Sequence, residues 1–124
     1  PKLSPIMEKD DILDFQNLVL NIPVAENVVK FAVDLVGSTR PNDERMPRKV
    51  HELIDWGAGP RASSALILAA KAKALLDNRT TPDINDVCNI SKLVLRHRII
   101  RSFNAESEGI STDNILELIL NKKI

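Results

Sequence analysis

Apolar side chains recur at helical spacing through most of this chain. Between about Glu8 and Asn21, Ile12, Phe15 and Val19 recur every three to four residues, and Ile22 follows them. Glu8, Asp10 and Asp11 suit the positive end of that helix, and Pro23 ends it. A second helix is predicted from about Ala25 to Ser38. Val28, Phe31 or Ala32, and Leu35 form its buried stripe, with Glu26, Lys30 and Asp34 on a wet face and Gly37-Ser38 at its end. The strongest pattern runs from Pro60 to about Asp77. Proline suits a first helical position, and Ala62, Ala65, Ala69 and Ala72 make a small-residue stripe beside Leu66, Leu68, Leu75 and Leu76. Helices approach closely against such a stripe, so this is the expected central helix. Thr81-Pro82-Asp83 reads as a fourth start, with threonine as the cap, and carries Ile84, Val87, Cys88 and Val94 inward as far as Leu95. Ser111 caps a last helix with apolar Ile115, Leu118 and Ile119.

Residues 96–103 have no clear period, and Pro1 to Met7 reads as an irregular lead-in. Thr39 to Gly59 holds Pro41, Pro47, Gly57 and Gly59 among charged residues and reads as one long irregular loop. Val50, Leu53, Ile54 and Trp56 predict one short amphipathic turn within it, with Trp56 plugged into the core. No strand, repeat or low-complexity tract is predicted. The expected fold is all-α, a bundle of four to five helices forming one domain over residues 1–124, with the loop at 39–59.

Composition narrows this further. Hydrophobic residues make up 44% of 124, with three Phe, one Trp and no Tyr, so the core is built from Leu, Ile, Val and Ala. Seventeen basic and seventeen acidic residues cancel, which argues against bulk electrostatic binding to nucleic acid or an anionic membrane. Cys88 is the single cysteine, expected to be buried, so no intrachain disulfide is available. Only His51 and His97 could join it around a metal, and no metal site is expected. No apolar run nears the ~20 residues that span a bilayer. The chain starts at proline and shows no signal peptide, which reads as a piece of a longer, cytoplasmic protein.

The chemistry concentrates at Trp56-Gly57-Ala58-Gly59-Pro60-Arg61-Ala62. This stretch sets Arg61 in the first turn of the central helix. Helix N-termini expose unpaired N–H groups and the positive end of the macrodipole, so they attract anions. A guanidinium there adds a planar fork of donors that fits a phosphate. Against this stands a plain surface arginine. A second cationic stretch, Lys92, Arg96, Arg98 and Arg101, has no acid between Asp86 and Glu106. No aromatic is interleaved with it, so it reads as a solvated face or a subunit contact rather than a nucleic-acid site. His97 within it has no partner ligands spaced for a metal. Ser63 and Ser64 near Arg61 have no base at readable spacing, which leaves no nucleophile.

Gly57-Ala58-Gly59-Pro60-Arg61-Ala62-Ser63 closely resembles the lid domain of MoxR-type AAA+ ATPases. The resemblance continues through Leu35-Val36-Gly37-Ser38-Thr39-Arg40, Ala69-Ala70-Lys71-Ala72, Thr81 to Val87, and Val94-Leu95-Arg96-His97-Arg98. In order and spacing these pieces cover about Ile12 to Leu120. The resemblance implies a helical lid that follows a P-loop ATPase core. It implies that Arg61 is the sensor-2 residue contacting the γ-phosphate of ATP, supported by the turn Gly57, Gly59, Pro60 and Ala62. Thr39, Arg40, Arg96, His97 and Arg98 are the candidate contacts to the core or a neighbouring subunit. ATP and Mg2+ would be held by the core. A hexameric ring, chaperone-like assembly of protein complexes, and von Willebrand A-domain partners are the family expectations.

The chain has no Gly-x-x-x-x-Gly-Lys-Ser/Thr loop and no apolar strand ending in Asp-Glu, so alone it is not expected to hydrolyse ATP. The alternative is a standalone helical adaptor that binds protein without a nucleotide role. A helical DNA-binding module is a third reading, opposed by the zero net charge and the lack of a recognition helix.

Overall fold

The computed structural model describes residues 1–123. Its helices are α1 (Lys9–Asn21), α2 (Glu26–Gly37), α3 (Arg48–His51), α4 (Arg61–Leu76), α5 (Ile84–Leu95), α6 (Phe103–Ser107) and α7 (Thr112–Lys123). Two short strands, β1 (Ile54–Trp56) and β2 (Ile100–Arg101), pair antiparallel, and a 3-10 turn at Arg96–Arg98 precedes β2. The fold is a helical bundle, as the periodicity predicts.

The central position of α4 follows from its sequence. Alanines and leucines surround it, so it carries two apolar faces instead of one. Ala62, Leu66, Ala70 and Ala74 are buried against the bundle, where α4 meets α5 and α2. Ala65, Leu68, Ala69 and Ala72 line a groove shared with α1. Leu76, expected beside the buried stripe, lies at the end of the helix and is 81% exposed. Helix α1 has no buried residue of its own, and its Phe15, Leu18 and Leu20 are exposed. It leans on the outer face of α4, where Lys71 Nζ donates to the Leu20 carbonyl (3.1 Å). Ile115, Leu116, Ile119 and Leu120 of α7 close the core from the other end.

The turn from α4 to α5 is held by charge and by backbone geometry. Asn78 adopts a left-handed φ of 57°, and Arg79 N–H reaches back to the Ala74 carbonyl (2.8 Å), closing the end of α4. The cap of α5 is Asp83, not Thr81. Asp83 accepts from Asp86 N–H (3.0 Å) while its own N–H donates to the Asp86 carboxylate (2.8 Å). This reciprocal box places the cap two residues after Thr81, whose hydroxyl donates instead to the Pro23 carbonyl (3.2 Å). The Asp86 side chain is 3% exposed and is gripped by both terminal nitrogens of Arg79. That contact first, and the Asp83 N–H bond after it, hold the Asp86 carboxyl below the usual range against the opposing effect of burial.

Two expectations for the 39–59 segment are corrected. The helical turn expected there is present, as α3, but the segment also contains a strand, β1. Strands of three and two residues are too short to show an alternating pattern, which is why the periodicity misses them. Trp56 is 70% exposed rather than plugged into the core. The register of β1 on β2 is irregular between Ile54 and Trp56, so the two do not share a face: Ile54 is buried and Trp56 faces out. Ser102 ties the ribbon to the bundle. Its N–H donates to the Leu53 carbonyl (2.9 Å), its hydroxyl donates to the Glu52 carbonyl (2.7 Å), and its oxygen caps α6 by accepting from Ala105 N–H (3.2 Å).

Candidate functional site at the start of α4

The turn before α4 is built against the end of α2. The backbone of Gly57 lies so close to Thr39 that a Cβ there would sit 2.3 Å from the Thr39 carbonyl oxygen and 2.8 Å from the Cα of Arg40. Both neighbours are backbone and cannot give way, so position 57 admits only glycine without a shift. Gly59 differs: a Cβ there meets nothing within 4 Å. Ala58 is buried, and its N–H donates to the Thr39 hydroxyl at 2.9 Å. Pro60 is already helical (φ −57°, ψ −32°), and Ala62 N–H closes on the Gly59 carbonyl at 2.9 Å. Ala58 and Ala62 are both buried, and Arg61 between them is exposed at the first helical position. The chain is thus pinned on either side of the arginine and leaves its side chain outside.

Thr39 and Arg40 separate in role. Thr39 was expected with Arg40 as a contact to a core or neighbour, but it is fully buried (0% exposed) and can touch neither. Its buried position follows from the end of α2, where Thr39 N–H and its hydroxyl both donate to the Val36 carbonyl (3.1 and 2.7 Å). Arg40 is exposed and lines a shallow pocket with Asp55 to Pro60, beside the start of α4.

The arginines sort by what they hold. Arg45 pairs with Asp34 (2.7 Å) and Asp43 (3.0 Å) across Gly37, and Arg48 pairs with Glu52 (2.8 Å). Arg79 holds Asp86. Arg96 makes a two-pronged contact to Asp113 (2.8 and 2.7 Å), which keeps the Asp113 carboxyl below its ordinary range. Arg98 donates to the Val94 carbonyl and touches His97, and Arg101 donates to the Ile110 carbonyl at 2.9 Å. Lys92 pairs with Glu117. The basic stretch at 92–101 is therefore neutralised largely from α7. Among the described residues, the two arginines with neither an ion pair nor a side-chain hydrogen bond are Arg40 and Arg61. Both lie at the turn between α2 and α4.

Cys88 is half-buried, and burial raises its thiol pKa, which disfavours the reactive thiolate. No group of three or more His, Cys, Asp or Glu able to hold a metal comes together among the described residues. No helix among them is long and apolar enough to cross a membrane. Sequence reasoning missed Thr39 as a structural partner of the Arg61 turn. The available signal was Gly57, whose required closeness to another backbone has no visible partner in the sequence.

Comparison with known proteins gives the family. Residues 46–119 match the family model of the AAA lid domain. Over 97% of its length the chain is 30% identical to the chaperone MoxR1 of Mycobacterium tuberculosis, covering 32% of that protein. Over 96% it is 29% identical to the uncharacterized protein YeaC of Bacillus subtilis, covering 34% of it. A 2.00 Å crystal structure of a candidate ATPase from Cytophaga hutchinsonii superposes with a TM-score of 0.85 at 36% identity, covering 92% of this chain and 34% of that one. The chain spans about a third of the length of the curated relatives it matches. The chain belongs to the AAA lid domain family, and the resemblance to MoxR-type lids drawn from its motifs stands.

Proposed function

We propose that this lid works as part of a MoxR-type AAA+ ATPase and supplies Arg61 to the γ-phosphate of ATP bound by a P-loop core of the same protein. The observation that carries the reading is the pair of uncommitted arginines at a turn whose backbone is fixed. Phosphoryl transfer builds charge on the phosphate oxygens, and a preplaced cation at that point stabilises it. Arg61 is pre-organised by the start of α4, where the helix dipole adds to its charge. Arg40, on the other side of Gly57, is a second cation for the same phosphates or for the core that holds them. ATP and Mg2+ fit the proposal as groups bound by the core. This chain offers donors to the nucleotide, and among the described residues no cluster of acids for the metal comes together.

Because Arg61 sits on a lid, its contact with ATP couples nucleotide state to the position of the whole bundle. In a hexameric ring, that movement would be passed to neighbouring subunits through exposed faces of the bundle. Chaperone-like remodelling in the cytoplasm, with a von Willebrand A-domain partner, completes the proposal. The similarity to the chaperone MoxR1 supports it. The test is steady-state ATP hydrolysis by the full-length protein. Arg61→Ala is expected to slow turnover at least about tenfold, equivalent to about 1.4 kcal/mol of barrier, with little change in lid stability. An unchanged rate refutes the sensor role. A full-length protein without a P-loop core or ATPase activity favours the adaptor reading.

A further inference from the structure

We infer that Thr39 is a positioning residue for Arg61, acting through a single buried hydroxyl that locks the Arg61 turn to the end of α2. The inference rests on the sensor reading of Arg61 and adds the device that aims it. Thr39 is fully buried, and its hydroxyl has two partners 22 residues apart in sequence: it donates to the Val36 carbonyl (2.7 Å) and accepts from Ala58 N–H (2.9 Å). Ala58 is three residues before Arg61. Its neighbour Gly57 rests directly on the Thr39–Arg40 backbone, so the turn is held from two sides, by the hydroxyl and by contact of main chain on main chain.

A side chain with one hydroxyl is well suited to this place. The Val36 carbonyl already accepts from Thr39 N–H and takes the hydroxyl as a second donor, whereas the buried Ala58 N–H has the hydroxyl oxygen as its partner. Valine has the shape of threonine but neither bond, and would leave Ala58 N–H buried without a partner. Serine keeps both. The consequence for function follows from geometry: a turn released from α2 lets Arg61 wander, and a positioned cation loses its advantage when it must be re-ordered at each turnover.

The experiment is a double-mutant cycle on ATP hydrolysis by the full-length protein, with Thr39→Val, Thr39→Ser and Arg61→Ala, each checked for melting temperature. Thr39→Val is expected to lower kcat about fivefold with KM changed less than about twofold, and Thr39→Ser to retain near wild-type kcat. In the Arg61→Ala background, Thr39→Val is expected to change kcat by less than about 1.5-fold, because the residue it positions is gone. An equal fivefold loss in that background would show an independent structural role and overturn the inference. So would a Thr39→Val protein with wild-type kcat. If Arg61→Ala alone has no effect, the sensor reading fails and the inference with it, a result separable from the other two. Should Thr39→Val fail to fold, Thr39→Ala, which removes the same two bonds and sets no methyl group against Ala58 N–H, enters the cycle in its place.

Discussion

The two cationic regions of this molecule carry similar residues and differ in what surrounds them. At the α5–β2 end, Lys92, Arg96 and Arg101 meet Glu117, Asp113 and Glu106, and Arg98 is engaged by the Val94 carbonyl. At the α2–α4 turn, Arg40 and Arg61 meet no acid among the described residues. In sequence the first region looks more cationic, because four basic residues crowd a stretch that has no acid. In space it is the quieter one. Density of charge along a chain is a poor guide to an anion site. On the proposed reading, what counts is whether a cation has been left unpaired on a turn held by its neighbours.

This contrast makes an asymmetric demand. Committed pairs should register in stability and leave turnover alone, whereas the uncommitted arginines should do the reverse. The largest effect on the committed side is expected at Asp86, which is buried and bound by Arg79. Asp86→Asn should cost about 2–3 kcal/mol in urea unfolding of the chain, since it strips a charged hydrogen-bond partner from Arg79 and weakens the α5 cap. The same group sets an acid limit. Its folded pKa lies below the ordinary 3.8, so its contribution is present above about pH 4 and drains as pH falls through the lower folded value. Unfolding followed from pH 7 to pH 2 should show that loss in the wild type and a flatter profile in Asp86→Asn.

On the uncommitted side, Arg40→Ala should lower ATP hydrolysis by the full-length protein about threefold, with urea stability within about 0.5 kcal/mol of wild type. A stability loss larger than any change in turnover would move Arg40 into the committed class. The smallest effect is expected at Arg96. Its pair with Asp113 is well shaped but exposed, so Arg96→Ala should cost no more than about 1 kcal/mol, shrinking in high salt. If the same variant also lost affinity for heparin or duplex DNA at physiological salt, the region would be a nucleic-acid face after all, and the contrast would collapse.

How much of this was legible beforehand depends on the distance over which each feature is decided. Helices α2, α4, α5 and α7 are set by local periodicity, and all were visible as such. The turn that carries Arg61 was visible because it is a contiguous motif. Most of the features that escaped are settled by residues far away. The acids that quiet Arg96 and Lys92 lie 17 and 25 residues downstream, on a helix whose packing no local window contains. Thr39 meets Ala58 across 19 residues. Trp56 looked like a core residue because it is large and apolar. A register irregularity in a ribbon two to three residues long turns it outward, and nothing local announces that irregularity. The cap of α5 moved from Thr81 to Asp83 because Asp83 finds a reciprocal partner in Asp86, itself held by Arg79.

The most direct test sets one arginine of each class side by side in the same protein. Steady-state ATP hydrolysis by the full-length protein would be measured for wild type, Arg61→Ala and Arg96→Ala. The account predicts at least about a tenfold loss for Arg61→Ala and less than about a twofold change for Arg96→Ala. Equal losses in both, or an active enzyme indifferent to Arg61, would contradict the claim that an unpaired arginine on a fixed turn is what this lid contributes.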